Sequence, residues 1–215
     1  PAGTYTDSGA LPKDQSSKGN MRLYGDSKDT TIVIGCINST ASSGTWNIQD
    51  FTVKSDGQPG PGSSFNTSLL VVNDSASLNA TNVKLLGDIQ PVSEGGTTTG
   101  ISVTGGTCVI GLVDIILADV AKGRSFISAA TGGYVRMTQD CVLTGIQNNN
   151  TVLSTDGSKF VRAGLAGQPL ANFSGSVTGK RYAATFNSII NVSGGGENFI
   201  PGSSEGSVST GSQYG

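Results

Sequence analysis

The stretch 46–53, WNIQDFTV, has apolar side chains at its first, third, sixth and eighth positions. The same pattern returns in LNATNVKL from Leu78, in CVIGLVDI from Cys108 and, less regularly, in RMTQDCVL from Arg136. The four octets begin at residues 46, 78, 108 and 136, at intervals of 32, 30 and 28 residues. Alternating apolar positions predict strands that bury one face, and the recurring interval indicates a structural repeat.

A second set of short apolar segments lies between the octets, and several of its members end in a glycine turn. They are TIVIGCI from Thr31, SLLVVND from Ser68, GISVTGG from Gly100, SFISAATGG from Ser125 and TVLSTDG from Thr151. A repeat with two strands and glycine turns predicts an all-β parallel β-helix, a β-solenoid of few rungs around a column of aliphatic side chains. An antiparallel β-sandwich remains the alternative, because short strands separated by turns also describe that fold.

One stretch, residues 112–123, allows a helical turn over 118–122. Its place in the repeat favours a strand followed by a loop.

The chain divides by composition into three segments. Residues 1–29 contain few apolar side chains and are expected to form a lead-in or linker, whereas residues 30–165 hold the repeats. The last rung of a solenoid has an uncovered apolar face and an unpaired edge. We therefore expect residues 166–215 to form a C-terminal β cap and a trimerisation region.

Charge and residue usage exclude several classes of function. The net charge is −2 without a basic cluster, which argues against nucleic acid and anionic lipid as partners. No apolar run reaches the length of about 18 residues that a membrane helix needs, so membrane insertion is not expected. The sequence has no histidine, which excludes histidine-dependent zinc sites and Ser-His or Cys-His nucleophiles. We predict no metal and no cofactor.

The three cysteines are far apart and odd in number, so they cannot form a full disulfide framework. Cys36 and Cys108 lie inside apolar runs, and we predict that both are buried thiols.

Carboxylates are the remaining route to catalysis, since glycoside hydrolysis needs two Asp or Glu side chains about 5 to 10 Å apart. Asp50 and Asp140 share the fifth position of their octets, where the octets between them have Asn82 and Leu112. Strands two rungs apart in a stack are separated by about 10 Å. Asp50 and Asp140 are therefore the catalytic candidates if the protein is an enzyme, and solvated side chains in turns are the alternative.

Aromatic rings are the usual platforms for sugars, because the apolar face of a pyranose packs on them. Trp46, the only tryptophan, occupies an apolar repeat position and is expected in the core. Tyr134, directly after a glycine turn, and Tyr24 are predicted to be exposed carbohydrate-binding residues, and ordinary surface tyrosines are the alternative.

The C-terminal sequence, residues 179–215, resembles the closing segment of many bacteriophage and prophage tailspike and tail-fibre proteins. The resemblance rests on Arg181-Tyr182, on Gly194, Gly195 and Gly196, on Phe199 before Pro201-Gly202, and on Gln213-Tyr214. It implies an elongated homotrimer on the virion tail that recognises a bacterial surface polysaccharide, a lipopolysaccharide or capsule. Some members of this family also cleave the polysaccharide, but none of their catalytic motifs can be placed on this chain.

A trimer also follows from the size of the chain, because a short solenoid has little core for its surface and neighbouring copies would bury its flanks. Phe186, Ile189 and Ile190 supply an apolar strand for such a seam, the glycine triplet allows close backbone approach, and Phe199 follows it. The sequence thus favours a trimeric module that binds polysaccharide. The alternatives are a depolymerase of the same architecture that uses an Asp/Glu pair, and a bacterial adhesin or other secreted β-solenoid.

Overall fold

A computed structural model describes residues 3–6, 20–39, 44–54, 66–87, 97–117, 125–145 and 151–215. Within these ranges the chain consists of strands, turns and irregular segments. The strands are β1 (Gly3–Thr6), β2 (Met21–Tyr24), β3 (Thr31–Ile34), β4 (Ile37–Ser39), β5 (Thr45–Lys54), β6 (Asn66–Asn73), β7 (Ser77–Gly87), β8 (Thr97–Thr104), β9 (Thr107–Gly111), β10 (Asp114–Leu117), β11 (Ile127–Ala130), β12 (Tyr134–Met137), β13 (Cys141–Thr144), β14 (Thr151–Asp156), β15 (Lys159–Arg162), β16 (Phe173–Ser174), β17 (Lys180–Thr185), β18 (Ile189–Asn191), β19 (Ser207–Val208) and β20 (Gln213–Tyr214).

The strands stack into a parallel β-solenoid of about five turns, as the repeats predict. Each full turn has three faces. The first face contains β2, the first halves of β5 and β7, β9, β12, β15, β18 and β20. The second face contains β1, β3, the second halves of β5 and β7, β10, β13 and β16. The third face contains β4, β6, β8, β11, β14, β17 and β19. Since the paired strands run parallel, the antiparallel sandwich is excluded.

The register of the first face confirms the alignment of the first three octets. Trp46 pairs with Leu78, and Leu78 pairs with Cys108, so that equivalent apolar positions lie above one another. Strand β10 covers Asp114–Leu117, which confirms the strand interpretation there, and residues 118–122 lie outside the described residues.

The alignment of the fourth octet is wrong by one residue in its first half. Cys108 pairs with Val135, and not with Arg136, whose side chain is exposed. In its second half, Ile115 pairs with Leu143 as expected. The corner between β12 and β13 holds three residues, 138–140, where the corresponding corners of the three earlier octets hold two.

The corner between the first and second faces has a left-handed backbone on three consecutive turns. Asp50, Asn82 and Leu112 have φ values of 61°, 52° and 55°. Asp and Asn tolerate this conformation better than other side chains, because their short polar groups form local hydrogen bonds. The predicted glycine turns form the corner between the third and first faces, where Gly132 has φ 78°.

The core is formed by side chains that point inward on all three faces. On the first face, one inward column consists of Leu78, Cys108, Val135, Phe160 and Ile190, all almost fully buried. Trp46 is partly buried at the start of this column and packs against the core. The prediction of buried thiols is correct for Cys108 and wrong for Cys36, which is exposed in the bend between β3 and β4.

Part of the expected lead-in belongs to the solenoid. Strand β2 pairs in parallel with the first half of β5, and β1 pairs with β3. The segment after β2 is tied to β10, because Lys28 Nζ lies 2.7 Å from Oδ2 of Asp114. Composition missed these strands because they are short and contain few aliphatic side chains.

The C-terminal residues continue the stacking of the earlier turns. Strand β17 pairs with β14, β18 pairs with β15, and β19 and β20 pair in turn with β17 and β18. The glycine-rich tail is therefore ordered strand and turn over residues 180–214.

Candidate functional site

The outward side of the first face is mostly polar over its first five strands, and Val109 is an apolar residue among the polar ones. We call this surface the polar face and define it by the outward polar residues Arg22, Tyr24, Asn47, Gln49, Ser77, Asn79, Thr81, Thr107, Tyr134 and Arg136. Alternate residues of a strand point to opposite sides of the sheet, so inward apolar and outward polar residues follow from the same octets.

Both tyrosines predicted to bind carbohydrate lie on this polar face. Tyr24 pairs with Gln49 and is 52% exposed, whereas Tyr134 pairs with Thr107 and is partly buried. Four strand spacings separate β2 from β12, which places the two rings about 19 Å apart along the solenoid axis. This surface thus has an aromatic ring near each end, with Val109 and uncharged polar side chains between the rings.

Asparagine side chains form a ladder between the tyrosines. Asn79 donates a hydrogen bond from Nδ2 to Oδ1 of Asn47, at 2.9 Å, on the neighbouring strand. A carboxamide has two donor hydrogens and an oxygen that can accept two bonds. The ladder bond uses only part of this capacity, so the pair can also hydrogen-bond a ligand that lies across the strands.

Asp50 lies at the corner that borders the polar face. Its Oδ1 accepts a hydrogen bond from Asn82 Nδ2 at 2.6 Å, and its Oδ2 accepts one from Gln49 Nε2 at 2.7 Å. Both carboxylate oxygens are therefore held by neighbouring carboxamides, an arrangement that stabilises the corner.

Asp140, in the corner between β12 and β13, has a different environment. Its Oδ1 accepts a hydrogen bond from the backbone nitrogen of Asn172 at 2.7 Å, and Arg162 Nη2 donates to Oδ1 of Asn172 at 2.6 Å. Three strand spacings separate the corners of Asp50 and Asp140, or about 14 Å. This separation exceeds the range of about 5 to 9.5 Å at which paired carboxylates cleave glycosides, so the structure does not bring these two candidates together.

Two of the predicted seam residues pack within the chain. The ring of Phe199 lies 5.3 Å from the ring of Phe173, between ring centres, and Cζ of Arg162 lies 4.6 Å from the centre of the Phe199 ring. A Cβ on Gly195 would be 2.8 Å from Cδ2 of Phe199, so glycine is required for this approach. The close contact of the glycine triplet is thus made with Phe199 of the same chain.

The remaining seam candidates differ in exposure. Ile190 is buried in the inward column, while Phe186 is 61% exposed and Ile189 is 38% exposed. Gly194 and Gly196 have left-handed backbones, with φ values of 77° and 72°. A bulky residue with a left-handed backbone is uncommon, and Phe186 has φ 52°. An exposed ring held in this strained conformation is a candidate contact residue.

A second surface, at the C-terminal end of the solenoid, was not identified from the sequence as a site. It is an open groove of about 810 Å³ whose lining includes Tyr182, Val208, Gln213, Tyr214 and Glu197. The rings of Tyr182 and Tyr214 are stacked, with centres 4.1 Å apart and planes inclined by 8°. Burial, together with the nearby Tyr182, raises the pKa of Tyr214 to about 12. Both tyrosines were noted only as part of the resemblance, because residues 32 apart give no sign that they stack.

Comparisons with protein-family models, with curated proteins and with solved structures found no match to this chain. Over the described ranges, the chain forms no helix long and apolar enough to span a bilayer.

Proposed function

We propose that this chain is a homotrimeric module of a bacteriophage tailspike or tail fibre, located on the virion tail, and that it binds a bacterial surface polysaccharide. The observation that carries the proposal is the polar face, on which Tyr24 and Tyr134 flank a ladder of uncharged polar side chains. The resemblance of residues 179–215 to tailspike and tail-fibre proteins supplies the biological setting.

The polar face matches the chemistry of a polysaccharide in two respects. Hydroxyl groups are donors and acceptors, and carboxamides and hydroxyls such as those of Asn47, Asn79 and Thr81 complement both roles. A sugar chain spanning the distance from Tyr24 to Tyr134 would cross several strands, so many weak contacts add up over an extended surface. Parallel strands keep the side chains in fixed register, which reduces the entropy lost on binding.

The trimer is supported by the apolar side chains at the C-terminal end of the first and third faces. Phe186 lies in the turn between β17 and β18. Ile189 points outward on β18 and pairs with Lys159 of β15 on the first face. Both side chains are exposed in a single chain, and burying them between copies would be favourable by about 25 cal/mol per Å² of apolar area.

The experiment has two parts. Light scattering gives the mass of the assembly, and surface plasmon resonance against immobilised lipopolysaccharides and capsules gives binding. We expect three times the single-chain mass of 21.7 kDa, and binding to at least one polysaccharide. Substitutions Phe186→Ser and Ile189→Ser should reduce the mass to that of one chain, whereas Ser154→Ala, on the outward side of the third face, should leave it unchanged.

A mass of 21.7 kDa for the unmodified chain would refute the trimer. Absence of binding across capsules and lipopolysaccharides from many strains would refute recognition of polysaccharide. Release of reducing ends or unsaturated sugars during incubation would replace the binding function with the depolymerase alternative.

A further inference from the structure

The stacked pair at the C-terminal end has one covered ring and one ring on its open side. A Cβ on Gly206 would overlap three adjacent atoms of the Tyr182 ring, Cδ1, Cε1 and Cζ, at nearly equal separations. Near-equal separations from three neighbouring atoms place Gly206 above the face of this ring. Tyr214 is stacked on the ring as well, and two groups cannot share one face. Tyr182 is therefore held between Gly206 and Tyr214, and the second face of Tyr214 is the one left toward the groove.

The orientation of Tyr214 is fixed from both ends of its side chain. Its hydroxyl donates a hydrogen bond to the carbonyl oxygen of Gly196 at 2.9 Å, and its backbone belongs to β20, where it pairs with Ile190. A ring that is fixed before binding loses little conformational entropy when a ligand packs on it.

The rest of the groove combines apolar and polar groups. Val208 pairs with the buried Ala184 in an inward column of the third face, and yet 43% of its surface is exposed. The side chains of Glu197 and Gln213 are exposed at the groove. Gly194 and Gly196 also line it, and a Cβ on either would meet no atom within 4 Å, so the space in front of them is open.

We propose that this groove is a carbohydrate subsite that binds one pyranose residue, with the C–H face of the sugar on Tyr214 and Val208 and its hydroxyls on Glu197 and Gln213. A flat ring with a carboxylate and a carboxamide beside it fits a sugar better than it fits an apolar partner, because an apolar partner would leave Glu197 without compensation for lost water. The subsite shares only its ligand class with the proposed function and lies apart from the polar face.

Saturation-transfer NMR tests the subsite in a chain whose polar face is disabled. The background is Tyr24→Ala with Tyr134→Ala, and the probes are the methyl pyranosides of glucose, galactose, mannose and N-acetylglucosamine. Irradiation of aromatic protons should saturate the ring protons of at least one probe. Tyr214→Phe should retain the transfer, because the aromatic face is kept, and Tyr214→Ala should weaken binding about tenfold, which corresponds to 1.4 kcal/mol.

Two exposed substitutions cover the case in which Tyr214→Ala does not fold. Glu197→Gln and Gln213→Ala change hydrogen-bonding groups without disturbing the ring stack, and each should weaken binding severalfold. Absence of transfer to all four probes overturns the subsite, as does unchanged binding in both of these variants. A fall in assembly mass caused by Tyr214→Ala also overturns it, since the groove would then be a contact between copies. Because Tyr24 and Tyr134 are replaced throughout, the variants at Tyr214, Glu197 and Gln213 report on the groove and not on the aromatic contacts of the polar face.

Discussion

Asn82 donates a hydrogen bond to Asp50 at 2.6 Å, and the two residues occupy the same left-handed corner on consecutive turns of the solenoid. The next residue at this corner is Leu112, with φ 55° and 42% of its surface exposed. Leucine has no polar group to stabilise a left-handed backbone, and much of its apolar surface faces solvent here. We therefore expect the third position of the corner to be the least stable of the three.

Replacement of this leucine should stabilise the protein. We expect Leu112→Asn to raise the free energy of unfolding by about 1 kcal/mol, because asparagine is more readily left-handed and can extend the hydrogen bonds from Asn82. Urea unfolding measures the change. Leu112→Ala is the control, since alanine keeps the strain and adds no hydrogen bond; an equal gain from alanine would contradict the explanation.

Removal of the corner hydrogen bond should cost more than removal of the ladder bond. Asn82→Ala deletes a bond to a charged group and places alanine in a left-handed backbone, so we expect a loss of about 2 kcal/mol. Asn79→Ala deletes a bond between neutral groups, and the expected loss is about 1 kcal/mol. Chemical unfolding of both variants decides this. Equal losses would show that neither the charge of Asp50 nor the backbone at residue 82 matters.

The cysteines should differ in reactivity. Burial raises the pKa values of Cys108 and Cys141 to about 12, so that roughly one such thiol in ten thousand is ionised at about pH 8. Cys36 is exposed. Iodoacetamide followed by mass spectrometry should show rapid modification of Cys36 in the folded protein and of all three cysteines in denaturant. Labelling of Cys108 as fast as Cys36 would contradict the buried position.

Tyr214 should make stability depend on alkaline pH. Its folded pKa of about 12 exceeds the unfolded value, which is about 10. The stabilisation is therefore fully present below about pH 10 and is lost as the pH rises toward 12. The loss should be on the order of 1 kcal/mol after allowance for partial exposure.

Tyr214→Phe isolates this contribution, because the buried cysteines titrate in the same direction in both proteins. Urea unfolding across the alkaline range should show a smaller loss of stability in Tyr214→Phe than in the unmodified chain. Parallel curves for the two proteins would mean that Tyr214 titrates as it does in the unfolded chain.

The repeats of the first face were predictable because each octet buries its own alternating side chains. Trp46, Leu78 and Cys108 lie in register because three consecutive corners have the same length. The one-residue shift at Val135 could not be seen in the sequence. One extra residue in the corner exchanges the inward and outward positions of the strand before it, whereas the strand after it, around Leu143, keeps the expected alignment.

The surface shared by Tyr24 and Tyr134 could not be derived from the sequence, because Tyr24 falls in the expected lead-in and the fourth octet was aligned wrongly by one residue. Tyr24 and Tyr134 fall on one face because both are outward residues of first-face strands. The stack of Tyr182 on Tyr214 joins inward residues of two different faces at the end of the solenoid. No spacing within one strand reports a contact between faces, so this pair requires the three-dimensional structure.

Binding of polysaccharide by the polar face is tested by the affinity of the Tyr24→Ala, Tyr134→Ala double variant. The measurement is surface plasmon resonance with a polysaccharide that the unmodified protein binds, and Ser128→Ala, on the outward side of the third face, is the control. We predict a loss of at least about tenfold in the double variant and none in the control. An unchanged affinity in the double variant, with the fold verified by circular dichroism, would show that the polar face does not bind the polysaccharide.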